Sequence, residues 1–213
     1  MTSRVAVIAD IVGSRTLADR AGAQRAIIDT SRQVHDDHPV AESPLAPTVG
    51  DEFQAVFPGL AAALTSLLLI QLHLPEGIGL RFGLGVGAVD PVGGDITDGP
   101  GWWAARAAID EAHRLQDRAV PHARTRVAAA QGEDAAMVER MALANAYLLA
   151  RDELVASMSE RARRLTYGRC LGRTQRELAD AEGITQPAVS QALASAGSAA
   201  LVAGFADLRE DLA

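Results

Sequence analysis

Asp10 closes the apolar run Val5-Ala6-Val7-Ile8-Ala9, and Asp51 sits about forty residues later in Thr48-Val49-Gly50-Asp51-Glu52-Phe53. Carboxylate oxygens are the ligands hard divalent cations take, and a Mg2+ or Mn2+ ion shared by two of them can in turn hold a phosphate. Gly13 and Ser14 follow Asp10, and a helical stretch follows them. The backbone N–H groups from Ile11 through Val12 and Gly13 to Ser14 are therefore expected to face the phosphates of a nucleotide. Glu52 reads either as a third ligand or as a solvated strand residue. Strand ends and tight turns also favour Asp for local reasons, so it is topology that must make two such residues into one site.

That topology can be read from periodicity. Arg4 to Ala9 is a β-branched, buried strand, and Thr16 to His35 follows with Leu17, Gln24, Ile28 and Ser31 near helical spacing. Leu45 to Val49 and Phe53 to Phe57 flank the Gly50-Asp51 turn, and Gly59 to Leu74 is a leucine-rich helix ended by Pro75. Leu80 to Val89 alternates apolar residues with Arg81, Gly83, Gly85 and Gly87, leaving one face nearly bare for a helix, a ligand or a partner subunit. An acidic, glycine-rich loop over Asp90 to Gly101 leads to a helix from about Trp102 to Leu115 and a strand at Thr125 to Ala130. The fold class is α+β, a ferredoxin-like βαββαβ core with additions. In that core the third strand lies antiparallel between the first and second, which puts Asp10 and Asp51 side by side.

Past Glu133 the pattern is helical, with a stretch to about Leu171 long enough for two helices that serve as connector or dimer contact. Thr174 to Ala196 then reads as a helix-turn-helix. Thr174 and Glu177 make a capping box, Gly183 breaks the chain, Thr185 caps a second helix that tolerates Pro187 early, and Leu178, Ala179, Ile184, Val189 and Leu193 supply a small core. In such a module Gln186, Ser190 and Gln191 would face DNA bases and Arg173 and Arg176 the phosphates, with Thr174 and Thr185 also on the DNA-binding surface. The alternative reading of the same helices is a structural hairpin or a protein-interaction module. The division expected is an α/β sandwich over 1–132 and a helical connector with DNA-binding domain over 133–213.

Composition is consistent with this. A chain of 213 residues, 48% hydrophobic, can bury a sizeable core beside a small second domain. The net charge of −7 is uneven: six Arg against four acids between Ser159 and Ser198 leave +2 there and −9 elsewhere, as expected for DNA contact on one face of an acidic body. No run of eighteen apolar residues exists and Met1 to Asp10 is too short for a signal peptide, so a cytoplasmic, membrane-free protein is expected. The single Cys170 excludes an intramolecular disulfide and reads as a buried hydrophobe. The His35-Asp36-Asp37-His38 cluster, before Pro39, reads as solvated surface, and Trp102-Trp103 as a core anchor, a base-stacking pair or an interface.

Val7-Ile8-Ala9-Asp10-Ile11-Val12-Gly13-Ser14-Arg15, Asp19-Arg20, Gln24, Gly50-Asp51-Glu52-Phe53-Gln54 and Gln186-Pro187-Ala188-Val189-Ser190-Gln191 together resemble the SatD family over nearly the whole chain. That resemblance implies a DNA-binding or regulatory protein. The first 130 residues are also distantly similar to the catalytic domains of class III nucleotidyl cyclases and diguanylate cyclases, through Asp10, Asp51, the Leu80 to Val89 strand, Gly99-Pro100 and Ala104-Ala105-Arg106. This second resemblance implies a cyclase-like fold, Mg2+ or Mn2+ on Asp10 and Asp51, and a phosphate role for Arg106. It also shows departures, because Trp102 stands where those enzymes carry a charge-stabilising Asn, and all twenty basic residues are Arg, so the adenine-selecting Lys is missing. Losing one such group costs on the order of 100- to 1,000-fold in rate. The function expected is a homodimeric transcription regulator with a degenerate nucleotide- or phosphate-sensing domain. The rival is a metal-dependent nucleotidyl cyclase or nucleotidyltransferase regulated by its helical C-terminus.

Overall fold

A computed structural model of the chain describes residues 4–48, 50–93, 96–210 and 212. Its five-stranded sheet has the order β2-β3-β1-β4-β7, formed by β1 (Arg4–Ile11), β2 (Ser43–Pro47), β3 (Glu52–Phe57), β4 (Leu80–Gly87) and β7 (Thr125–Ala129). β1 is central and antiparallel to both β3 and β4, and β7 runs parallel to β4. This is the ferredoxin-like strand order with one strand added. A central strand is covered on both faces, which is why β1 is apolar at every position from Val5 to Ala9. Val5, Val7, Ala9 and Ile11 face the large core with α1 (Arg20–Asp37) and α2 (Leu60–His73), while Ala6 and Ile8 face a smaller cluster with α3 (Pro100–Arg118).

The bare face of β4 is filled by α3. A Cβ on Gly85 would lie 1.9 Å from the carbonyl oxygen of Gly101 and 2.4 Å from the nitrogen of Ala105, and one on Gly83 2.3 Å from the carbonyl oxygen of Ala105. Of the three occupants the sequence left open, a helix of the same chain takes the place, and only glycine lets it approach so closely. The acidic loop before α3 is partly ordered as a hairpin, β5 (Asp90–Gly93) with β6 (Ile96–Asp98), so the loop expectation is corrected. Its Asp95 lies outside the described residues. Trp102 packs on the small cluster and donates from Nε1 to Thr97, whereas Trp103 is 66% exposed.

The remaining helices are α4 (Ala135–Ala156), α5 (Glu160–Cys170), α6 (Gln175–Glu182), α7 (Gln186–Ser195) and α8 (Ser198–Glu210). Met141, Leu148, Tyr167, Leu201 and Phe205 belong to the same core as Val5 and Phe53, so one hydrophobic interior runs across residue 132. A buried polar knot reinforces the seam: Asp152 of α4 accepts from the backbone N–H of Arg124 (2.8 Å) and Thr125 (2.7 Å) and from Arg151 (2.8 Å). The end of α1 is sealed as well, since Tyr167 donates its hydroxyl to Asp37 at 2.6 Å and His38, buried, stacks obliquely on Phe205. The expectation of a solvated His35 to His38 cluster is therefore corrected for the two histidines of this helix end, which α5 and α8 help to cover, while Asp36 and Asp37 are exposed. Cys170 is buried as expected, and burial pushes its thiol up to about 12. Among the described residues no single helix is long and apolar enough to cross a membrane.

Candidate functional site

Strand register assembles the site. Asp10 lies directly opposite Glu52 on β3 and Arg81 on β4. Because residues in register share a face, one row reads Glu52, Asp10, Arg81 across three strands. Asp51, one residue before β3, occupies the turn whose Gly50 has φ +76°, and Gln24 of α1 fixes that turn by donating to the Gly50 carbonyl at 2.6 Å. Asp10 and Asp51 thereby open into one cavity of about 420 Å³ together with Ile11, Gly13 and Ser14. Its other walls are basic: Arg15, Arg20, Arg81 and His113.

Each carboxylate of this region has an arginine partner. Arg81, whose side chain is only 6% exposed, places Nε 3.0 Å from Asp10 and donates from Nη1 to Gln116 at 3.1 Å. Arg20 approaches Asp51 at 3.5 Å, and Arg106 meets Glu52 at 2.6 Å. Burial raises the pKa of Asp10, with Arg81 opposing that shift and the Asp51 charge adding to it. The Asp51 carboxyl is held below the usual range, chiefly by a hydrogen bond from the Ser14 side chain, with Arg20 and Arg15 assisting. Asp10 is thus a carboxylate whose burial is incompletely compensated, beside one that stays ionised.

The structure corrects the expected phosphate cradle. α1 begins at Arg20 rather than soon after Ser14, and its N-terminus is capped by Asp19, which accepts from Gly22 at 2.7 Å. The Val12 N–H donates to Gly79 and the Ser14 N–H to Ile11, so these two groups are used in holding the loop. Arg106 and Glu52 pair with each other and do not line the Asp10–Asp51 cavity. What the sequence reading missed is the arginine set. Arg15 and Arg20 flank the loop in sequence, and Arg81 breaks an otherwise glycine-only face, a pattern that marks a charged side chain turned toward α3.

At the other end of the chain, α6 and α7 surround a core of Leu165, Leu178, Ala179, Val189 and Leu193. Thr174 and Glu177 form both bonds of the capping box, Gly183 takes the left-handed conformation at φ 64°, and Thr185 accepts from the Ala188 N–H. Glu177, fully exposed, has its pKa lowered by hydrogen bonds from Thr174. Arg173, Thr174, Arg176, Thr185, Gln186, Ser190 and Gln191 are all exposed. The basic residues before them are engaged: Arg164 pairs with Glu182 at 2.7 Å, Arg161 lies 3.7 Å from Glu182, and Arg163 donates to the Leu74 carbonyl at 3.0 Å. Open positive charge is therefore concentrated at Arg173 and Arg176.

A family model described as the SatD family matches residues 4–201. A search among curated proteins returned no match. Among solved structures, an adenylate cyclase from Trypanosoma brucei is similar at 15% identity, covering 49% of this chain and 66% of that one, with a TM-score of 0.42. The guanylyl cyclase domain of a fusion protein from Blastocladiella emersonii is 19% identical over 52% of this chain and 74% of that one, with a TM-score of 0.42. An adenylyl cyclase from P. aeruginosa is 13% identical over 55% and 82%, with a TM-score of 0.39.

Proposed function

The chain belongs to the SatD family, and we propose that it is a DNA-binding regulator whose sandwich domain senses a nucleotide or phosphate ligand held with Mg2+ or Mn2+. The observation that carries this reading is the single cavity into which Asp10 and Asp51 open among three arginines. The donor set suits such an ion in kind, with the carboxylate oxygens of Asp10 and Asp51 at one cavity, and because among the described residues no third His, Cys, Asp or Glu completes a cluster there, the phosphate itself would supply further oxygen ligands. Asp10 and Asp51 would hold the cation, which when bound supplies the charge that joins carboxylates to phosphate. Ser14 keeps Asp51 ionised, Gln24 keeps its turn in place, and the arginines meet the anion. α1 joins this pocket to the helical part: Arg20 stands at its first turn and Asp37, bonded to Tyr167 of α5, at its last. α5 in turn contributes Leu165 to the core under α6 and α7.

On the DNA side, Gln186, Ser190 and Gln191 are assigned to base edges, with Thr185 beside them, and Arg173, Thr174 and Arg176 to phosphates. One such module covers one half-site, so a homodimer on a roughly palindromic operator is expected. Calorimetry with Mg2+ and a nucleotide panel tests the pocket, and equal affinity in wild type and the Asp10→Ala, Asp51→Ala double variant would remove it. Titration of DNA from the native locus tests the helices. Gln191→Ala should relax base preference at one position by about 1–3 kcal/mol, while Arg173→Ala should weaken all sequences and flatten the salt dependence. Failure of every native fragment to outcompete bulk DNA would leave α6 and α7 as a protein-contact element. The rival enzyme reading predicts multiple turnovers of product from Mn2+ and a nucleoside triphosphate, abolished by Asp10→Ala. The engagement of Arg106 by Glu52 and of Trp102 by Thr97 supports little or no turnover.

A further inference from the structure

The two carboxylates read as cation ligands are each already neutralised by an arginine of the same cavity, Asp10 by Arg81 and Asp51 by Arg20. A divalent ion seated on Asp10 and Asp51 takes over that neutralisation and competes with both guanidiniums for the same oxygens. The arginines cannot travel far: Arg81 is enclosed by the sheet and by its bond to Gln116, and Arg20 is anchored on the first turn of α1. Their donors are released at the wall of the cavity, beside Arg15.

We infer that Arg20 and Arg81 act in a handover, as counter-ions of Asp51 and Asp10 before cation binding and as anion ligands after it, so that the pocket takes a cation-chelated oligophosphate group as one unit. This rests on the reading of Asp10 and Asp51 as the cation site. The charges favour an oligophosphate: with three arginines, two aspartates and a divalent ion the pocket carries a net +3, whereas a single phosphate monoester brings only about −1.5 to −2. Guanidiniums also suit phosphate oxygens, which they bind in a bidentate fork.

The handover makes a prediction of opposite signs for one substitution. Arg20 has a half-exposed side chain outside the core, so Arg20→Gln should fold. Removing the Asp51 counter-ion should tighten Mn2+ binding alone about two- to fivefold, the range of an exposed ion pair. The same change should weaken tripolyphosphate, titrated at saturating Mn2+, about tenfold or more, since a charge-assisted bond is lost. Arg15 acts on Asp51 through space without an ion pair among the described residues, so Arg15→Gln should weaken tripolyphosphate and tighten Mn2+ less than Arg20→Gln does, by no more than about twofold. Isothermal calorimetry on the full chain reads all of these, with orthophosphate at saturating Mn2+ expected to bind at least about tenfold more weakly than tripolyphosphate. If Arg20→Gln moves both affinities in the same direction, or moves neither, the handover is wrong while the cation site stands. If orthophosphate binds as tightly as tripolyphosphate, the oligophosphate assignment is wrong. If the wild type binds neither Mn2+ nor Mn2+-tripolyphosphate, the site reading fails and the handover fails with it.

Discussion

The Asp10–Asp51 pocket and the α6–α7 pair treat their charged residues in opposite ways. In the pocket every carboxylate is answered by an arginine from another element, β1 by β4 and the β3 turn by α1. On the helix pair the polar residues of interest stand in solvent with local bonds such as Thr174 to Glu177, and the long-range pair is at its edge, Glu182 with Arg164 of α5. The pocket is therefore built by the tertiary fold, and its charge pairs join segments far apart in sequence. The helix pair is a local unit whose exposed polar face is contained in twenty-odd residues. The seam where α4 meets β7 holds the Arg151–Asp152 knot, with neither side chain reached by solvent.

The strongest way to break this comparison is to cut that seam. Asp152→Ala leaves a fully buried guanidinium and two backbone N–H groups without their acceptor, and should cost about 3–5 kcal/mol in chemical denaturation. If the two regions share one core, both should melt in a single transition at lower denaturant. Two separate transitions would show independent units.

Damage confined to the pocket side is expected from Gly85→Val, because α3 must move away from β4 and carry Arg106 and Gln116 with it. Overpacking of this kind costs about 1–3 kcal/mol, here at the upper end. A thermal melt should register it, and an unchanged midpoint would mean that α3 is not seated as described.

On the helix side, Thr174→Ala removes a complete capping box and should cost about 1 kcal/mol. Hydrogen exchange should then quicken in α6 but not in α1 or β1. Equal quickening everywhere would contradict the local nature of that region.

Asp51→Ala should change stability least, by about 1 kcal/mol or less, since its ion pair is exposed and its turn is held by Gln24 and Gly50. The pH dependence sharpens the point. The folded pKa of Asp51 lies below its ordinary value of 3.8, so its contribution is complete above that pH and is lost as pH falls through the folded value. Acid titration of wild type against Asp51→Ala should converge below that range and separate slightly above it.

The sequence by itself determined the local devices: the apolar β1 ending in Asp10, the turn glycine before Asp51, the capping box at Thr174 and the left-handed stop at Gly183. These depend on neighbours within a few residues, where propensity and periodicity operate. Strand order also followed, because the ferredoxin-like pattern of elements leaves few arrangements, and with it came the adjacency of Asp10 to the β3 turn. What only the tertiary structure decided is which long side chain meets which carboxylate. Arg81 answers Asp10 from 71 residues away and Tyr167 answers Asp37 from 130, and an arginine can reach several partners from one backbone position. Register, helix placement and burial choose among them. For the same reason the start of α1 shifted to Arg20: the loop after Asp10 is held by Gly79, a partner on a distant segment that no reading of residues 11 to 19 contains.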